Sequence, residues 1–554
     1  MAAALSAACV PATFNGLALF GAEILSIDTK PVTNYSTWGL DIARFTQPTV
    51  KIQNATFCNV TVSYTHPGQD DNIFVETWLP IENPTWNDRL QAVGGGGWQA
   101  GRFLLSWETM KGALGDGYAT TTTDAGLGSA ADPAEWSLIS PGNLNWYKLN
   151  NFGSVSLNDQ AIISKALIKS FYGKGPDYSY WNGCSQGGRQ GIMLAQRYPD
   201  AYDGISAGAP VLYSSFSGTG LYWPQQVMNV LNEYPYGCEM DAITAAAVRD
   251  CDGLDGVTDG IISDIDGCLA SFDPFKMVGE PVPKCSQAGN RTVEVGVAAA
   301  VVVNATWHGM VKPNSGAPVW YGLPPGSLIS VEADGGVLTG VAATNCSSGT
   351  CVGSPNPMTT GWIERFDALG DPNFDITKMS YADFDDIVHY TRQIYRSAFD
   401  TDDPDLSRFR DAGGKLVTFH GLWDALLPPQ ATRKYYNEVS ATVPDTPTFF
   451  RHYDVPGLGH CIGHASGQPT SLFEQLRAWV ERGEAPGQSP VNVTAADGAT
   501  HNRILCPYPE VARLDAEGGC GDPADARCWR CVAGVIRHKS VLFDAARLVD
   551  RVAE

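Results

Sequence analysis

The chain has 554 residues, 44% of them hydrophobic and 17% charged, and a formal net charge of −22. This is the balance of a globular protein large enough for more than one folding unit. The acidic excess argues against nucleic acid or an anionic membrane as partner, because both need surplus lysine and arginine, and no apolar run reaches membrane-spanning length.

In chain order, residues 57–79 alternate in strand fashion and are expected to be antiparallel edge strands. Leu90–Val93 reads as a buried strand running into Gly94–Gly97, four glycines that would let backbone N–H groups approach an oxyanion. Residues 118–123 form a further strand and 159–171 a helix. Tyr178–Trp181 is a short aromatic strand, Gly183-Cys184-Ser185-Gln186-Gly187 has the G-x-S-x-G form, and Arg189–Tyr198 has helical spacing up to Pro199. Strand, tight turn and helix are the setting of a nucleophile elbow, with Ser185 exposed at the turn. Gly204–Pro210 reads as the next strand and its exit. The pattern then lapses for nearly two hundred residues, too long for a loop. It resumes with strand-like runs at 415–420 and 449–455, followed by a helix at 471–482 and a tail holding Cys506, Cys520, Cys528 and Cys531.

Each resumed strand opens into a candidate: Asp424 after the first, His460 after the second. The order Ser185, Asp424, His460 is that of an α/β-hydrolase. The N–H of Gln186, with that of Gly96 or Gly97, would complete an oxyanion hole. His464 is the rival base and Asp454 the rival acid, while His420 and His452 lie close by in sequence. Cys184 precedes the serine and Cys461 follows the histidine. A serine activated by a histidine brings the two backbones within disulfide range, so these cysteines could close a bridge beneath the catalytic pair.

The Cys-Ser, Asp, His-Cys arrangement with GCSQGGRQG at the nucleophile resembles the fungal tannase and feruloyl esterase family, to which bacterial mono(hydroxyethyl)terephthalate hydrolase is also similar. The resemblance covers Cys9 to about Cys531. It implies hydrolysis of an ester between an aromatic acid such as gallate or ferulate and an alcohol or sugar, with no cofactor for the chemistry. It also implies a structural calcium ion in the lid, held by Asp252, Asp255 and Asp259 and by the carbonyls of Val257 and Ile261. On residues alone that stretch is equally an acidic solvated loop, enclosed by Cys251 and Cys268 if these pair. Trp320, Tyr321, Trp362 and Phe366 could form an aromatic slot for a planar acid; family position favours Trp362, with Phe366 beside it.

The expected architecture is therefore an α/β-hydrolase core (1–207), an inserted lid (208–404), and the second part of the core with its cysteine-rich tail (405–554). Val278–Pro281 and the glycine run lean toward a tannase, with a feruloyl esterase as the alternative. A catalytically silent, calcium-stabilised binding protein on the same scaffold and a peptidase or general lipase are the more remote readings. Fourteen cysteines and sequons at Asn34, Asn54, Asn59, Asn290, Asn304, Asn345 and Asn492 point to secretion. Met1–Ala8 lacks the basic start and apolar segment of a signal peptide, so the chain is expected to begin near a mature end or in a truncated gene. Free thiols in an intracellular protein are the competing reading, and the sequence leaves the oligomeric state open.

Overall fold

The computed structural model describes residues 2–313, 315–330, 340–347, 349–515 and 519–534; the cysteine-rich tail expected to run to Glu554 is described as far as residue 534. Nine strands build one sheet: β1 (Glu23–Gly39), β2 (Val50–Thr65), β3 (Ile73–Glu82), β4 (Arg89–Val93), β5 (Ala119–Thr123), β6 (Tyr178–Cys184), β7 (Gly204–Gly208), β8 (Lys415–Gly421) and β9 (Phe450–Val455). Their spatial order is β1-β2-β3-β5-β4-β6-β7-β8-β9. The first four neighbours pair antiparallel, and from β5 to β9 every pairing is parallel.

Parallel strands need long crossovers, and helices supply most of them. α1 (Leu104–Gly115) links β4 to β5, α2 (Ser156–Tyr172) precedes β6, and α3 (Gln186–Arg197) links β6 to β7. Because helices cover both faces, the central strands are buried throughout and read as continuous rather than alternating runs. In β5 this places four threonines in the interior. Thr121 donates to the Glu76 carbonyl and Thr123 to that of Phe74, so their hydroxyls are bonded while their branched carbons pack. The helices end where local chemistry requires. α2 stops at Gly173, whose φ of +83° suits glycine, and α3 stops ahead of Pro199, which disfavours helical backbone in the residue before it.

β2 and β3 were expected at the sheet edge and lie one and two strands in. The edge is β1, which pairs with all of β2 through several register shifts. Those irregularities and its mostly exposed residues break the period-2 signal that would have marked it as a strand. Between β7 and β8 lies a largely helical segment with α4 (Ser214–Leu231), α5 (Gly237–Cys251), α6 (Val297–His308) and α7 (Tyr381–Phe399). After β8 come α8 (Pro429–Thr442) and, beyond β9, α9 (Leu472–Arg482).

All fourteen cysteines are paired: Cys9–Cys58, Cys184–Cys461, Cys238–Cys285, Cys251–Cys268, Cys346–Cys351, Cys506–Cys531 and Cys520–Cys528. Among the described residues no helix is long and apolar enough to cross a membrane.

Candidate active site

Ser185 sits between the end of β6 and the first residue of α3 with φ +60° and ψ −120°, a conformation that L residues avoid. The turn is possible because its surroundings are glycine. A Cβ on Gly183 would lie 2.6 Å from the Gly187 backbone, and one on Gly94 would lie 2.5 Å from the Gly187 Cα. The loop after β4 therefore crosses the elbow at backbone contact. Gly187 donates to the Gly95 carbonyl (3.1 Å), and Gln190 accepts from Gly95 N (2.9 Å) while donating to the Ala100 carbonyl (2.9 Å). Arg189, fully buried, holds the Gln186 side chain through Nε (2.8 Å) and donates to the carbonyls of Gly153 and Phe152.

The structure separates the two oxyanion candidates in the glycine run. Gly96 N–H is engaged by the Gln99 carbonyl (3.1 Å) in a small reciprocal turn, so the expectation for Gly96 is corrected. Gly97, with φ +56°, and Gln186 make no backbone N–H hydrogen bond among the described residues. Two N–H groups left free beside the elbow are what a developing oxyanion requires.

Asp424 is fully buried beyond β8 and accepts four hydrogen bonds. Leu426 N and Leu427 N reach Oδ1 (both 2.8 Å), while His460 Nδ1 (2.8 Å) and His420 Nε2 (3.0 Å) reach Oδ2. Burial would raise this carboxyl, but the adjacent His460 and His420 outweigh it and hold it far below the usual carboxylate range. With Nδ1 on Asp424, His460 keeps Nε2 as the atom to face a nucleophile. The Cys184–Cys461 disulfide brings the neighbouring Cα atoms to 6.0 Å and so fixes the serine turn against the histidine loop. In the chain-entropy account, closing 277 residues in this way contributes about 6 kcal/mol.

The rivals are placed elsewhere. Asp454 pairs with Arg433 Nε (2.9 Å) and His452 Nε2 (3.3 Å), and His452 Nδ1 lies 2.9 Å from the Thr418 hydroxyl. The His464 ring packs across that of Trp423 (centroids 6.3 Å), and burial lowers its basicity although Asp424 acts in the opposite sense.

Trp362 and Phe366, expected to line the substrate slot, have no exposed surface. Trp362 stacks on Trp98 at 4.2 Å, and Trp98 Nε1 donates to the Met358 carbonyl (2.9 Å). These aromatics therefore stand behind the glycine loop and brace it, in a core shared with Trp136, Phe152, Tyr395 and Phe399. A cavity lined by Val211, Phe216, Trp320, Tyr321, Leu426 and Leu427 lies on the Asp424 side of the site, with none of Ser185, His460, Gln186 and Gly97 in its wall. Val211 N donates to the Ser185 carbonyl (3.4 Å), and Leu426 and Leu427 are the residues on Asp424, so this wall continues the catalytic geometry.

The acidic loop implied to hold calcium buries Asp252, Asp255 and Asp259. Asp252 accepts from the N–H groups of Asp259, Gly260 and Ile261. Asp259 meets Arg503 Nη1 at 2.7 Å, and Asp255 Oδ2 is buried with no hydrogen-bond partner, 3.6 Å from Arg503 Nη2. Burial raises the Asp259 carboxyl; Arg503 opposes this, and Asp255 and Asp252 add to it. Three carboxylates against one guanidinium, with an orphaned oxygen, fit a divalent cation in charge. Among the described residues, however, no three acidic, histidine or cysteine side chains converge closely enough to hold a metal.

Comparison with known proteins agrees with this geometry. The profile described as "Tannase and feruloyl esterase" matches residues 58–529. A "Probable feruloyl esterase" of Arthroderma benhamiae is 37% identical over 518 residues, 91% of this chain and 90% of its own length. The "Mono(2-hydroxyethyl) terephthalate hydrolase" of Piscinibacter sakaiensis is 29% identical, with 81% and 80% of the two chains covered. The solved tannin acyl hydrolase from Aspergillus niger superimposes with a TM-score of 0.81 at 26% identity, covering 100% of this chain and 96% of that one. The chain is a member of the tannase and feruloyl esterase family of carboxylic ester hydrolases, built on the α/β-hydrolase fold.

Proposed function

We propose that the chain is a secreted esterase of phenolic aromatic acids acting through an acyl-enzyme on Ser185. The observation that carries this reading is the His460–Asp424 contact at 2.8 Å on a loop tied by Cys184–Cys461 to the serine turn. Ser185 attacks the ester carbonyl as His460 takes its proton, Asp424 steadies the imidazolium, and the N–H groups of Gln186 and Gly97 receive the oxyanion. His460 then protonates the leaving alcohol and activates the water that releases the acid.

The cavity beside the triad is mainly apolar and aromatic, and Trp320 stacks on Phe216 at 4.4 Å. Each gallate hydroxyl would have to exchange water for a polar partner there, so a hydroxycinnamate with fewer ring hydroxyls suits the lining better. The identity to a relative named as a feruloyl esterase supports the same side over the tannase lean. Secretion is supported by the complete pairing of cysteines and by exposed asparagines in the sequons at Asn34, Asn54, Asn290, Asn345 and Asn492. The buried charge excess at Asp252, Asp255 and Asp259 supports a structural calcium ion, for which the carbonyls of Val257 and Ile261 would complete the donors.

The test is labelling with a serine-directed fluorophosphonate, followed by rates on methyl ferulate, methyl gallate and a long-chain ester. Labelling at Ser185 with methyl ferulate preferred is expected. Absence of both labelling and turnover overturns the reading, and preference for the long-chain ester overturns the substrate class.

A further inference from the structure

We propose that His420 is a positioning residue of the reaction: it fixes the Asp424 carboxylate and sets how strongly that carboxylate draws the His460 proton. The proposal rests on the triad reading above and adds a second histidine to it.

His420 is fully buried on β8, four residues before Asp424. Its Nε2 faces two acceptors, Asp424 Oδ2 at 3.0 Å and the Leu427 carbonyl at 3.2 Å. A backbone carbonyl cannot donate, so Nε2 carries the hydrogen, and Nδ1 accepts from the Thr432 hydroxyl at 2.8 Å. The Leu427 carbonyl thereby fixes the tautomer that can donate to the acid, and the Thr432 hydroxyl on α8 fills the remaining ring nitrogen. Leu427 acts from both ends, its N–H on Asp424 Oδ1 and its carbonyl on His420. The result is a closed clamp of Asp424, Leu427 and His420 in which the carboxylate plane cannot rotate.

His420 and His460 donate to the same oxygen, Oδ2. Two donors divide its basicity, so His420 weakens the pull of Asp424 on the His460 proton. The other charged or titratable groups around the clamp are His464, beyond His460, and His452 and Asp454 on β9 with Arg433 of α8. Asp454 is already paired with Arg433 and His452, so loss of the His420 donor reaches Asp424 and the Leu427 carbonyl and leaves Asp454 untouched.

The experiment compares His420→Phe, which keeps a ring of similar size without donors, with His420→Gln, whose amide can replace the Nε2 donor. Thr432→Val, which removes the hydrogen bond that anchors the His420 ring at Nδ1, is the second variant should the phenylalanine protein fail to fold. Rates on methyl ferulate are measured across pH. For His420→Phe, kcat is expected to fall roughly 10- to 100-fold with little change in KM. The acid limb of kcat/KM should move up by roughly 0.5 to 1 pH unit, because Asp424 then holds the His460 proton more tightly. Thr432→Val should change in the same sense by less, and His420→Gln should restore the wild-type limb. A merely structural role would lower melting temperature and leave every pH profile in place; that outcome overturns the proposal while the triad reading stands. A wild-type protein that neither labels nor hydrolyses overturns the reading itself.

Discussion

Two adjacent parallel strands each end beside an aspartate–histidine pair, Asp424 being fully buried and Asp454 partly exposed, and only the first pair lies on a loop tied to the serine turn. On β9, Asp454 meets His452, but its other oxygen belongs to Arg433 and the second nitrogen of His452 belongs to Thr418. Beyond β8, Asp424 meets His460 through Nδ1 and leaves Nε2 for the serine turn. Both carboxyls are held low against burial, Asp454 to about 2 chiefly by the Arg433 charge. An arginine is a permanent counter-ion, whereas an imidazole gains and loses its charge as a proton moves. Contact between a carboxylate and an imidazole therefore does not mark a catalytic centre; a ring nitrogen left open toward a nucleophile does.

The sharpest way to break this comparison is at the two centres themselves. Ser185→Ala should lower turnover on methyl ferulate by about 10⁶-fold, with the melting temperature unchanged in calorimetry. Asp424→Asn should lower kcat by about 10⁴-fold through the wrong His460 tautomer. Asp454→Asn should keep kcat within about 3-fold and instead destabilise the fold by roughly 2 kcal/mol, since it leaves Arg433 with Asp266 alone, at 3.5 Å. A fully folded Asp454→Asn protein with activity as low as Asp424→Asn would reverse the assignment. Replacing Cys184 and Cys461 by alanine should cost about 100-fold in kcat/KM through loss of register between the two loops.

Acid titration separates the pairs more gently. The folded Asp454 carboxyl lies below its ordinary 3.8, so its contribution of about 2 kcal/mol is complete above pH 3.8 and is lost as pH falls toward about 2. Arg433→Met should remove that part of the acid-unfolding curve, followed by circular dichroism. The smallest effect concerns the acidic loop: a calcium chelator should lower the melting temperature by about 1 °C for each kcal/mol lost in a chain of this size, and leave the fluorophosphonate labelling rate unchanged. No shift on chelation would remove calcium from the description.

The elbow, the glycine run and the order of Ser185, Asp424 and His460 were readable in the sequence because each depends on local backbone chemistry. Glycines that admit a crossing at Gly94 and Gly187 leave their mark in the letters themselves. Burial leaves none. Trp362 could equally have faced the cavity or packed behind it, and its partner Trp98, far away in sequence, places it behind. The choice between Gly96 and Gly97 rested on a turn closed by Gln99, which no motif encodes. β1 escaped notice because an irregular, solvent-facing edge strand has no period to read. His420 had a usable signal, a histidine at the strand end four residues before the acid, but its hydroxyl partner comes from a separate helix.

The bond between Cys184 and Cys461 joins residues 277 positions apart and sits immediately beside both reacting side chains. Before residue 461 has been synthesised, and before an oxidant has acted, the nucleophile and its base have no covalent tie. Register between the two loops thus depends on the redox state of one bond, and a reductant able to open it should slow ester cleavage while leaving the other elements of the sheet in place.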